Sequence, residues 1–491
     1  MPQTFSKFIP IAAPIPTTCV DYVHPWTDSC LQAICGLYLY CMLESLRIYG
    51  TVYMVTLLMK GKIPRKEDLR KTICGIVQST AFLSGTGFGY SLFLCSLRRV
   101  LGNFNILTVS AIPAFLSSVF SILIERPSRR TMLCLYVSNV ATETLWNMAR
   151  ARHLVRDIRY GDAAIYSASI AMLLYYFKKG YHKSSEHSDA MYRVIRFVVG
   201  PYEEYGSSDR SQEASRAFYR QVQNSPNDSS QSGSGTSTST STASGTSPWR
   251  SRKHKNSVLD LVNQMLRAYK RLIYKIKCCD RHSTCPHPFS CLYYVMQGAG
   301  KMFSVGLGLQ VFLKLILNSK RILSSPANLK QVLFKKQTLN LAVFLGAFSG
   351  IFRGTMCTLR NLTGKDRASH AIPAGILAGI AYLRYPDTTV ALYVMWKAAQ
   401  ISYNLGIEKG LLPKVPGFVE FLYCFSTAIL FHAAILEPTN LRPSYWKFLH
   451  SISGGRIACM SRQPLEVWGL NTTESLKKVL EQTKTVPVVY F

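Results

Sequence analysis

Acidic residues are scarce in this sequence. Its 491 residues carry 26 Asp and Glu against 57 Lys and Arg, a net charge of +31. The rest of the composition, 48% hydrophobic and 12% aromatic, excludes a wholly disordered basic tail. A nucleic-acid-binding domain is excluded as well, because cations that grip phosphates gather on one soluble face beside exposed aromatics, whereas here they fall between long apolar runs. Charge is missing altogether from Ile73 to Leu97 and from Val100 to Ile124, 25 residues each, and a helix crosses a bilayer in about 20. Enzyme signatures are missing too: there is no GxSxG elbow, HExxH pair, Walker loop or kinase set, so no catalytic residue and no enzyme are expected. The opening stretch MPQTFSKFIPIAAPIP offers no continuous apolar core for a secretory signal, and insertion is expected to rely on internal segments. What these absences leave is an all-α, polytopic membrane protein. Its modest mean hydropathy of +0.10 reflects dilution by a polar insert.

The chain compares well with itself at an offset of about 260 residues. His24-Pro25 returns as His287-Pro288, Cys95-Ser96-Leu97-Arg98 as Cys357-Thr358-Leu359-Arg360, and Ala111-Ile112-Pro113-Ala114 unchanged as Ala371-Ile372-Pro373-Ala374. Pro127 matches Pro386, Leu135-Tyr136-Val137 matches Leu392-Tyr393-Val394, and Trp146-Asn147 matches Tyr403-Asn404. The expectation is about ten apolar helices in two homologous five-helix repeats: 31–59, 73–97, 106–124, 131–149 and 163–177, then 291–317, 337–358, 370–384, 388–406 and 417–436. An odd number of spans per half inverts the second repeat, the design of many transporters; an even number leaves the halves parallel. Basic loops do not choose an orientation, since cations gather both at 60–71 and at 150–159.

The expected organisation is a Cys/His-containing N-terminal region at 1–30, a first membrane repeat at 31–180, a linker at 181–290, a second repeat at 291–437 and a tail at 438–491. From 207 to 247 the linker is rich in Ser, Gly and Thr and cannot bury enough apolar surface to offset the entropy of ordering. It continues into a basic stretch, 250–277, in which Arg267, Lys270, Arg271, Lys275 and Lys277 alternate with Leu261, Met265, Leu266, Leu272 and Ile273. That pattern suits either a solvated basic face or contact with anionic lipid.

Small residues at helical spacing let backbones approach closely in lipid. Gly346, Gly350 and Gly354 form GxxxGxxxG, Gly375 and Gly379 a second such pair, and Gly85 and Gly89 the counterpart in the first half. Charges within the apolar segments are costly and default to functional hypotheses. Glu44 and Arg47 are spaced to neutralise each other. Glu143, Lys301, Lys314, Arg353, Lys397 and Glu420 have no evident partner nearby in sequence and serve either as snorkelling groups near helix ends or as the lining of a pathway. Cys278, Cys279, His282, Cys285, His287 and Cys291, echoed by Cys19, His24 and Cys30, offer thiolate and imidazole groups of the kind zinc prefers. Their spacing fits no standard finger, so they are expected to be interfacial thiols beside a proline-fixed turn, with no ligand assigned and no cofactor or metal. Cys41, Cys74, Cys95, Cys134, Cys357 and Cys424, inside apolar segments, read as small packing residues.

IERPSRR (124–130), ATETLW (141–146), RFVVG (196–200), MFSVG (302–306) and LRPSYWKFL (441–449) resemble the transmembrane protein 135 family over most of the chain from about His24 to beyond Leu449, the Ser/Gly/Thr linker excepted. The resemblance implies a multi-pass protein of peroxisomal and mitochondrial membranes with a Cys-rich amino-terminal region, associated with mitochondrial fission and fusion balance, peroxisome organisation and lipid handling. The dynamin-like fission machinery is then an expected partner alongside the bilayer, with a transporter or channel as the alternative. The second half also resembles the mitochondrial inner-membrane preprotein translocase superfamily at Ala374-Gly375-Ile376-Leu377-Ala378-Gly379, although Arg360 and Asp366 stand six apart where that pattern has four.

Overall fold

Left-handed glycines and acidic or hydroxyl caps punctuate the long apolar runs and turn them into separate helices. The computed structural model describes residues 13–59, 65–156, 158–181, 189–204, 257–279, 282–318 and 339–490. Its elements are α1 (Cys19–Tyr22), α2 (Cys30–Met59), α3 (Lys66–Leu101), α4 (Ala111–Ile124), α5 (Pro127–Ala151), α6 (Gly161–Lys179), α7 (Ala190–Val199), α8 (Ser257–Lys277), α9 (Cys291–Leu317), α10 (Asn340–Thr363), α11 (Ala371–Gly379), α12 (Thr388–Glu408), α13 (Phe418–Leu436), α14 (Pro443–Ile452), α15 (Arg456–Cys459) and α16 (Thr472–Thr483). Helices α3 and α10 both stop at a glycine with positive φ, Gly102 and Gly364, whose N–H closes on the carbonyl of Arg98 and Arg360. Ser290 and Asp387 cap α9 and α12 by accepting first-turn N–H groups, and α5 and α14 begin on proline.

All ten expected apolar segments are helical. Four helices among the described residues are long and apolar enough to cross a membrane: α3, α9 from Cys291 to Ile316, α10 and α13. α4 is apolar but has 14 residues, and the segment expected at 370–384 breaks into the nine residues of α11 and a 3₁₀ turn, Ile380–Arg384. Large apolar side chains on several helices face outward, including Leu39 and Leu43 on α2, Phe312 and Leu313 on α9, and Phe421 and Phe425 on α13, a distribution that suits lipid. This is an all-α membrane protein.

Two compact units emerge, residues 1–161 with 387–491, and residues 162–386. They cut across the halves of the sequence. In the first unit α3 packs on α2 and α4, while α13, from the second half, packs on α4 and α5, and α12 packs on α5. Its core runs from Tyr22 and Leu94 through Val140 and Leu430 to Trp446 and Trp468. In the second unit α9 packs along α10, which also carries α11, and α6, from the first half, lies against α11 with Ala171 at Gly375 and Ser167 at Gly379. The segment expected as a linker at 181–290 contains packed structure: Tyr192, Ile195 and Val199 of α7 are buried, and Glu203 follows them into the interior. The Ser/Gly/Thr stretch and Arg250 to Lys255 lie outside the described residues.

Candidate functional site

In the first unit a capped turn delivers the first ligand-type side chains. Thr18 and Asp21 form a reciprocal capping box that starts α1 at Cys19. The chain then turns through His24-Pro25 and enters α2 at Cys30. These three side chains meet Cys95, in the second-to-last turn of α3, and the four donor atoms lie within 4.8 Å of one another. His24 places Nδ1 2.8 Å from the Thr27 carbonyl, leaving Nε2 facing Cys30 Sγ at 3.3 Å. A hydrogen bond from Cys95 draws the Cys19 thiol down to about 6, against the opposing effect of burial and with help from His24. One turn beyond Cys95, Arg98 donates to the carbonyls of Thr17 and Pro16 and holds the preceding chain to α3.

The second unit repeats the constellation. Cys285, His287 and Cys291 meet Cys357 of α10, again with all four donor atoms within 4.8 Å. His287 places Nδ1 2.7 Å from the Phe289 carbonyl and Nε2 3.4 Å from Cys357 Sγ, and Cys291 Sγ lies 3.8 Å from Cys285 Sγ. The hydrogen bond from Cys357 lowers the Cys285 thiol to about 4 despite burial, with His287 adding to the effect. His287 is wholly buried and stacks on Tyr294 at 4.5 Å. Cys278, Cys279 and His282 stay out of the cluster: both thiols are exposed, and His282 bonds the Thr284 hydroxyl. The expectation of separate interfacial thiols is therefore replaced by two four-membered clusters. The fourth member of each, Cys95 and Cys357, reads as a packing residue in sequence because it lies within an apolar run, at least 65 residues from its partners. All 14 cysteines are free thiols.

A second site adjoins Cys357. Arg360, fully buried, forks onto the buried carboxylate of Glu203, with Nη1 3.0 Å from Oε1 and Nη2 on Oε2, and sends Nε to Asp366 at 3.0 Å. Lys178 completes the group, 2.9 Å from Asp366 and 3.6 Å from Glu203. Burial alone would raise Glu203, yet Arg360 and then Lys178 hold it at about 2. Sequence reading noticed Arg360 and Asp366 but missed Glu203 and Lys178, which lie more than 150 residues from Arg360.

The charges singled out within apolar segments mostly have partners inside their own unit. Glu44 pairs with Arg47 at 3.5 Å. Glu143 takes Arg442, and Glu420 takes Arg130 at 3.1 Å. Arg353 is buried, donates to the Tyr294 carbonyl at 3.1 Å and lies over the Tyr294 ring. Gly298 makes room for it, because a Cβ there would overlap the guanidinium. Lys301 sits over Phe197 at 4.1 Å, Lys397 donates to Gln400 at 2.9 Å, and Lys314 lies in the last turn of α9. Gly346 and Gly350 face Ala299 and Phe303 of α9, Gly354 faces Val295 more loosely at 3.9 Å, and Gly85 and Gly89 face Ser121 and Ser117 of α4.

Residues 16–150 match the family described as the N-terminal cysteine-rich region of Transmembrane protein 135. No solved structure matches the chain. The matched stretch holds all four members of the first Cys and His cluster, together with α2, α3 and α4. With its apolar helices the chain is a membrane protein, and over residues 16–150 it is similar to the cysteine-rich region of the transmembrane protein 135 family.

Proposed function

We propose that this chain is a non-enzymatic membrane-organising protein of peroxisomal and mitochondrial membranes. On this reading it has about ten apolar helices in two homologous repeats, and it regulates mitochondrial fission and fusion balance and peroxisome organisation, with a link to lipid metabolism. The observation favouring organisation over transport is the pairing of the charges within apolar segments. Glu143 on Arg442, Glu420 on Arg130 and Arg353 on Tyr294 are committed to packing within a unit. Helix α8 supports a surface-binding role: Val262, Met265, Leu266, Tyr269 and Leu272 are exposed beside Arg267, Lys270, Arg271 and Lys275, an amphipathic arrangement suited to anionic lipid. Its basic approach, Arg250 to Lys255, is the element assigned to recruiting the dynamin-like machinery.

The test reverses the charges of Arg250, Arg252, Lys253 and Lys255 to Glu in the full chain and scores recovery of the dynamin-like protein and mitochondrial length. Recruitment should disappear while the protein remains in its membranes. In parallel, Glu143→Ala and Lys397→Ala are compared with the unaltered chain for solute flux in reconstituted vesicles. A wild-type flux that either substitution abolishes would overturn the reading in favour of a channel.

A further inference from the structure

We propose that the chain holds two structural zinc ions, one on Cys19, His24, Cys30 and Cys95 and one on Cys285, His287, Cys291 and Cys357. Zinc bonds thiolate sulfur at about 2.3 Å and imidazole nitrogen at about 2.0 Å, so a tetrahedron of three sulfurs and one nitrogen has edges of roughly 3.5 to 3.8 Å. The separations on hand are 3.3 Å for His24 Nε2 to Cys30 Sγ, 3.4 Å for His287 Nε2 to Cys357 Sγ and 3.8 Å for Cys291 Sγ to Cys285 Sγ. A disulfide requires about 2.05 Å between sulfurs. Three thiols in each cluster would also leave one without a mate. Zinc uses all three.

The histidines carry the argument further. Each ring directs Nδ1 to a backbone carbonyl a few residues ahead, Thr27 in one unit and Phe289 in the other, which fixes the tautomer that leaves Nε2 as a lone-pair donor. Simple packing of thiols has no need of that orientation, still less of its repetition. Four protein ligands close the coordination sphere, so the role is structural and not catalytic. Each ion would tie three ligands on the chain leading into one helix to a fourth on the long helix beside it: α1 and the start of α2 to α3, and the turn before α9 with the start of α9 to α10. The three thiolates exceed the charge of one Zn²⁺ by one, and the first cluster has Arg98 one turn away.

The full chain is purified in mild detergent after expression with added zinc and without chelator, then analysed for metal and by zinc-edge X-ray absorption. The expected result is about two zinc ions per chain, each with three sulfurs near 2.3 Å and one nitrogen near 2.0 Å. Cys95→Ser and Cys357→Ser should each keep about one ion, whereas Cys278→Ser and Cys279→Ser, outside the clusters, should keep both. Because a variant lacking a ligand can fail to fold, the wild-type chain decides. A helical wild-type protein without zinc, whose cluster thiols alkylate as fast as exposed Cys35, would overturn the proposal, as would zinc held by oxygen and nitrogen alone.

Discussion

Replacing Arg360 by Met isolates the energetics of the buried charge cluster. Arg360 and Glu203 are almost completely sequestered, and two parallel contacts join them. At an effective dielectric of about 20, each ion pair at this range is worth roughly 4 to 5 kcal/mol before desolvation is counted. Arg360→Met removes that compensation from Glu203 and leaves it only Lys178, 3.6 Å away, and the Tyr294 hydroxyl at 3.1 Å. The cost should be roughly 3 to 5 kcal/mol, typical of a buried charge stripped of its main partner. Glu203→Gln with Arg360→Met takes away both members of the pair and should recover a large part of that loss. The assay is the unfolding free energy of the full chain in mild detergent, measured by denaturing-detergent titration for wild type, both single variants and the double variant. If Arg360→Met costs less than about 1 kcal/mol, or if the two substitutions simply add, Glu203 is not held by Arg360 and the reasoning fails.

Acidification acts on the same carboxylate: Glu203 is lowered from 4.5 to about 2 by folding, so its contribution is complete above pH 4.5 and drains away as pH falls towards 2, a loss that pH-dependent unfolding would register and that Glu203→Gln would blunt. Gly379→Ala places a Cβ within 2.7 Å of the Ser167 Cα and should cost about 1 to 3 kcal/mol, whereas Gly354→Ala, whose nearest neighbour is 3.9 Å away, should be nearly neutral in the same titration. The Glu143 and Arg442 pair is partly exposed, at 21% and 16% of its side-chain surface, and a double-mutant cycle should return a coupling below about 1 kcal/mol. A chain split between residues 205 and 256 should regain native proteolytic resistance only when both fragments are made together, since the first unit takes α12 and α13 from the second fragment and the second unit takes α6 from the first.

The positions of the helices were legible because uncharged runs and capping residues are local signals: the apolar segments fall on helices, although the one expected at 370–384 breaks after Gly379. The clusters were only half legible. His24-Pro25 and His287-Pro288 stood out, but the two sets differ in spacing, with four residues between Cys19 and His24 and one between Cys285 and His287, so no single zinc-finger pattern covers both. Their fourth members were hidden by context, since one thiol in a hydrophobic run reads as packing. Glu203 was hidden differently. It sits in a stretch whose composition points to a linker, and only the return of α10 reveals why an acid is kept there.

The two Cys-x-x-Arg turns show how similar sequence can be put to different use. In both units the cysteine joins a thiol and imidazole cluster, and the arginine one turn later anchors a segment distant in sequence to the end of a long helix. In the first unit that segment is 16–17, already fastened by the Ile15 and Phe104 bridge, and carbonyls suffice as acceptors for Arg98. In the second it is the turn after α7, where Gly200 takes a φ of +100° and a Cβ would crowd Arg353. Arg360 is fully buried, and there two carboxylates neutralise its charge as well as accept its hydrogen bonds. Glu203 and Asp366, two of the chain's few acids, thus offset the charge of the buried Arg360, and Lys178 balances the second negative charge.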